Sequence, residues 1–155
     1  MHASRFLFSI FLSLVLYACN KETRQDFVED PDYSNFYICH TNAKWDSLRI
    51  AKALPGLWKW ERISCYWEQR NPSSFLYLGL TVEFKPDQTL QVRREGELLH
   101  SAKWQLRKEG AFRTYSLQTE PMVHYVRGLI LFCGNKVEFQ ESYIDGCDNR
   151  FVRLR

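Results

Sequence analysis

Five cysteines carry the chemistry most open to interpretation in this chain: Cys19, Cys39, Cys65, Cys133 and Cys147. A thiol can accept an acyl group, bind a metal, shuttle electrons or form a disulfide. No two of the five have the close spacing of a zinc knuckle or a redox pair, so no metal and no cofactor is expected. His40, next to Cys39, is the one hint of a metal ligand and reads better as an exposed loop residue. Hydrolysis would need a nucleophile with a base and its orienting partner in reach. His100 and His124 fall on expected strands, and no Gly-x-Ser-x-Gly turn accompanies them. Glu95 and Glu97 flank a glycine in a turn, where solvation accounts for them. Asp145, Asp148 and Asn149 lack the spacing of a complete calcium loop. The expectation is a protein that is not an enzyme.

Cys19 stands apart because of what precedes it. Residues 1–18 hold a single basic residue, Arg5, then an apolar run from Phe6 to Tyr17, then small Ala18. That is the grammar of an export signal. As a helix the run is about 18 Å long against a hydrocarbon core of about 30 Å, long enough to engage a secretion channel and short for a permanent span. Leu16-Tyr17-Ala18-Cys19 also resembles the lipobox of bacterial lipoproteins, which implies cleavage before Cys19 and lipidation of its thiol. One acyl chain holds a protein marginally and two or three hold it stably. Polar residues from Asn20 onward then read as a tether. Asn20 in place of aspartate resembles Gram-negative lipoproteins sorted to the outer membrane, and Lys21-Glu22 faintly resembles the surface-export signal of Bacteroidetes lipoproteins. The expected organisation is a signal peptide over 1–18, a lipidated tether over 19–37 and one domain over 38–155.

The elements behind these residues look like strands. The 21 Lys and Arg residues nearly balance the 18 Asp and Glu, and they are scattered, so no electrostatic footprint for nucleic acid exists. Turn residues recur about every ten positions after Leu54, a spacing that signals an antiparallel meander. From Phe75 to Phe84, Leu76, Leu78, Leu80, Val82 and Phe84 share one face. Lys85-Pro86-Asp87-Gln88 reverses the chain into Thr89–Arg94. Leu98, Ala102, Trp104 and Leu106 share the next face, and Val137, Phe139 and Tyr143 a later one. The stretch from Met122 to Cys133 is apolar on both parities, either one central strand or two broken at Arg127-Gly128. About eight strands result, enough to close an up-and-down barrel. Before them Asn42 is expected to cap a short helix with Trp45, Leu48, Ala51 and Leu54 on one side.

Leu54-Pro55-Gly56-Leu57-Trp58 places a Gly-x-Trp at the entry to the first strand, and Phe151-Val152-Arg153 closes the chain. This resembles the lipocalin superfamily, in particular the lipocalin-like lipoproteins of Bacteroidetes, over Leu54 to Arg155. The resemblance implies that Gly56 and Trp58 plug one barrel end and that Arg153 packs across an indole. Gln88 stands where the family commonly has glycine, which leaves the type of that hairpin open.

Four thiols beyond Cys19 suggest two disulfides with three possible pairings. If eight strands alternate up and down, Cys65 ends the first and Cys147 precedes the last at one rim. That topology pairs Cys65 with Cys147 and, by elimination and place, Cys39 with Cys133. The expected function is membrane-anchored binding of a small apolar or amphipathic ligand inside the barrel, lined by Leu76, Leu78, Leu80, Val82 and Trp104. The alternative is a structural or interaction lipoprotein of the cell envelope with a packed barrel, docking an envelope or host protein through Tyr66, Trp67 and Tyr77.

Overall fold

The computed structural model describes residues 31–65, 77–110 and 114–154. Two helices, α1 (Pro31–Asn42) and α2 (Ser47–Ala53), come first. Eight strands follow: β1 (Gly56–Cys65), β2 (Leu80–Phe84), β3 (Thr89–Arg94), β4 (Glu97–Glu109), β5 (Thr114–Glu120), β6 (Gly128–Cys133), β7 (Lys136–Gln140) and β8 (Cys147–Arg153). They close in sequence order into an all-antiparallel up-and-down barrel, as expected, with β8 returning to β1. The architecture is compatible with lipocalin-like folds. Closure satisfies the strand edges that an open sheet would present to solvent.

Alternation decides what fills the barrel. Leu80, Val82 and Phe84 of β2 are buried, as are Leu90 and Val92 of β3, and the two strands meet rung by rung at Val82↔Val92 and Phe84↔Leu90. Asp87 sets the reversal between them: its carboxylate accepts from the Thr89 N–H at 3.0 Å and the Thr89 hydroxyl at 2.6 Å. Gln88 takes the left-handed conformation, φ 65°, that glycine would adopt without strain. From β7 and β8, Val137, Phe139 and Phe151 complete the interior.

Several expectations need correction. The alternating run does not make Phe75 to Phe84 a single strand. Residues 77–79 form a turn, closed by the Leu80 N–H on Tyr77 O at 3.0 Å and by the Glu95 N–H on Gly79 O at 3.2 Å. Leu78 therefore leaves the sheet, is 53% exposed and cannot line the interior. Leu76, Tyr66 and Trp67 lie outside the described residues. Asn42 ends α1 instead of capping a helix; Asp46 caps α2, accepting from the Arg49 N–H at 2.8 Å. Ile50 and Leu54 are the buried positions there, while Leu48 is 72% exposed. Helix α1 begins at Pro31, inside the stretch expected to be tether. Leu98 is exposed at the start of β4, beyond the last β4–β5 rung at Lys103↔Glu120, and Tyr143 is exposed in a 3-10 turn.

Between β5 and β6 the chain makes a 3-10 turn at His124–Val126, and β6 starts at Gly128. A side chain has no room at that start. With φ 102°, a Cβ on Gly128 would sit 1.9 Å from Gln140 O. Gly96 has φ 91° and nothing within 4 Å of the same position. Gly128→Ala should therefore cost at least about 3 kcal/mol, from backbone strain plus overpacking, against about 1–2 kcal/mol for Gly96→Ala. Denaturant midpoints of the two variants check this, and equal shifts would refute it.

Candidate functional site

What a barrel can hold depends on what already occupies it. Phe84 lies 6.0 Å from Phe139 and 6.0 Å from Trp104, and Phe139 is 5.8 Å from Phe151. Leu80, Val82 and Trp104 pack into this cluster and are covered by their neighbours. One end is shut by Trp58, whose indole N–H donates to Leu54 O at 2.8 Å. Arg153 lays its guanidinium over that indole at 4.3 Å and donates to the carbonyls of Pro55, at 3.1 Å, and Ala53. Gly56, with φ 140°, turns the chain from α2 into β1 beside them. At the other end Val123 and Val126 are buried, Tyr77 stacks on Trp60 at 5.2 Å, and Tyr125 meets Tyr77 edge-on at 5.6 Å. Tyr77 is thus a half-buried member of this lid.

The wall of the barrel is uneven. Strands β1 and β8 pair over seven rungs, ending at Cys65↔Cys147, which a disulfide also joins. Among the described residues β5 and β6 share only Ser116↔Leu129 and Leu117↔Gly128. Above those rungs α1 takes over. The Phe132 N–H donates to His40 Nδ1 at 2.9 Å, and a disulfide joins Cys39 to Cys133. Both bonds link the cysteines that the topological argument pairs. His40 is only 7% exposed, not the loop residue expected, because α1 lies on the barrel and Trp45 shields the ring. Burial lowers its pKa to about 4. One turn earlier, Phe36 stacks on the Arg150 guanidinium at 4.3 Å. Arg150 in turn donates to Glu138 Oε2 through Nε at 2.7 Å, with Nη2 in ion-pair contact with the same oxygen at 2.6 Å, and Gln140 donates to Glu138 Oε1 at 2.9 Å.

Below the rungs a groove of about 610 Å³ opens on the outer face, between β4–β5 and the segments that flank β6 and β7. Gln105, Gln118 and Glu120 line one side, and Arg127, Glu141 and Tyr143 the other. Arg127 pairs with Glu141 at 2.8 Å. Asp148 braces the second wall, accepting from the Glu141 N–H, the Ser142 N–H and the Ser142 hydroxyl, each at 2.9 Å. Burial raises its carboxyl pKa against those bonds. Asp145, at φ 63°, and Gly146, whose N–H donates to Glu141 O at 2.8 Å, complete the turn. The Asp145–Asn149 stretch is thus a braced turn, and among the described residues no group of three or more His, Cys, Asp or Glu could hold a metal ion. Met122, Tyr143 and Ile144 stand 56%, 56% and 51% exposed along the groove.

His100 and His124 are exposed, and the His100 ring lies 5.9 Å from that of Tyr125. Among the described residues no helix is long and apolar enough to cross a membrane. Scans of protein-family models, curated proteins and solved structures find no match to this chain.

The His40 bond makes an acid-sensitive latch. Its folded pKa of about 4 lies below the ordinary 6.5, so the unfolded chain takes up the proton first. The contribution is complete above pH 6.5, declines as pH falls towards 4 and levels off below, a loss of at most about 3 kcal/mol. His40→Gln, whose amide oxygen can accept the same N–H without titrating, should remove that pH dependence. Unfolding free energies of both proteins at pH 7, 5.5 and 4 measure it, and parallel curves would refute it.

Proposed function

We propose that this chain is an exported, lipid-anchored envelope protein whose filled barrel is a scaffold and whose outer face recognises a protein partner. The single observation that carries the reading is the packing: both barrel ends are shut by the chain's own side chains, and the inward positions are covered. Chemistry left exposed is therefore on the outside, where the groove and its apolar rim lie. Two disulfides suit an oxidising compartment, which agrees with export. The apolar run before Cys19 supports the anchor, with the outer membrane as the favoured location.

A second reading retains an apolar ligand inside the barrel. The aromatic lid favours it: Tyr77 and Tyr125 are half-buried rings over the core, and rotating them outward would open one end. That route costs displaced core contacts, which is why it ranks second.

Two measurements test the proposal. Labelled palmitate should enter the wild-type chain and not Cys19→Ser, and the variant should leave the membrane fraction; unchanged fractionation removes the anchor. A photo-crosslinking residue at position 143 should capture one stoichiometric protein in intact cells, with no saturable uptake of fatty acid or hydrophobic dye by the purified chain. Saturable uptake with no crosslinked protein would replace the first reading with the second.

A further inference from the structure

Below the two rungs β5 runs on to Glu120 with no partner on the β6 side among the described residues. The Trp104 N–H donates to Gln88 O at 2.8 Å, so Trp104 directs its peptide groups towards β3. In an antiparallel ladder this makes Trp104↔Thr119 a rung without hydrogen bonds, and the Thr119 N–H and C=O must point away from β4. Leu117, two residues earlier, uses the same direction to pair with Gly128. At Thr119 that pairing has ended. Among the described residues nothing bonds the Thr119 backbone from that side. Its hydroxyl accepts from the Val123 N–H at 2.7 Å, which turns the departing chain aside.

Resting on the reading of this chain as an interaction protein, we propose that the groove docks an extended peptide segment of a partner, laid along β5. The Thr119 N–H and C=O supply main-chain bonds, as in strand addition to a sheet edge. Met122, Tyr143 and Ile144 supply apolar contacts for alternate side chains of the peptide. The volume, about 610 Å³, falls in the range of sites that enclose a small ligand or a few residues. Of the acids on the walls, Glu141 is paired with Arg127 and Glu109 lies 3.9 Å from Arg107, which leaves Glu120 at the end of β5 to meet a cation. The complementary peptide is apolar with a basic flank. Asp148 and Gly146 hold the wall in place before binding, which limits the ordering cost to the peptide.

Phage displaying random peptides of about twelve residues, panned on the full-length lipoprotein in detergent, test this, followed by amide exchange read by NMR. In the unbound chain the Thr119 amide should exchange at least about tenfold faster than those of Gln118 and Glu120, which bond β4. Enriched peptides should carry alternating apolar residues with a flanking Lys or Arg, and should slow Thr119 exchange by about tenfold or more. Tyr143→Ala with Ile144→Asp should weaken binding at least about tenfold while the thermal melt stays in place. Prior protection of Thr119, binding that leaves its exchange unchanged, or no enrichment would each overturn the proposal. If enrichment fails while photo-crosslinking still captures a partner, the peptide groove falls and the interaction reading stands.

Discussion

Two rungs between β5 and β6 are all that the described ladder offers at one side of the barrel, and much of the remaining structure follows from that shortage. A barrel is stable because closure leaves no strand with unpaired peptide groups. Where one seam is thin, those groups must find partners elsewhere. Above the rungs a helix supplies one, a histidine nitrogen for the Phe132 N–H, and a disulfide pins that helix in place. Below, a 3-10 turn tucks Val123 and Val126 into the core while the strand departs. The seam between β1 and β8, by contrast, is paired along its length and bonded across its last rung.

The helical patch has its own electrostatic requirement. Glu138 and Arg150 belong to the outward face of β7 and β8, where charges normally sit in water, and α1 covers them. A buried pair recovers its desolvation cost only with good geometry and satisfied remaining atoms. Glu138 meets that condition through Arg150 and Gln140 together, and the Phe36 ring covers the guanidinium. The pair contributes less to net stability than to position. The Phe36 ring on the Arg150 guanidinium ties α1 to β8 at this point.

Much of this was legible in the residues, and the rest was not for definable reasons. Strict alternation in Leu80, Val82 and Phe84, with turn signals at Pro86-Asp87 and Gly134-Asn135, is a local property, so the strand count and the all-β class could be read directly. The barrel order made the two cysteine pairs deducible once the strands were assumed to alternate. Leu78 misled because its parity is right for a strand, whereas the chain turns at Gly79 through bonds to Glu95 in another hairpin. His40 misled because its burial depends on β6, ninety-two residues away. Glu138 and Arg150 stand at matching outward positions, but nothing in the sequence brings a helix over them. The groove is a consequence of where pairing stops, which is a property of register between strands and leaves no local trace.

The Cys39–Cys133 bond also determines how the molecule would bear tension. It bridges a sequence separation of 94 residues and so encloses α2 and strands β1 to β6 in one covalent loop. A pull applied between the two ends of the chain runs along α1, crosses from sulfur to sulfur, and leaves through β7 and β8. A second covalent route runs through α2 and β1 to Cys147, because Cys65 is bonded there, and β2 to β6 lie off both routes. Tension between the two ends would thus be borne by α1, the two disulfides, β1 and the residues from Cys133 onward, with β2 to β6 outside the covalent path.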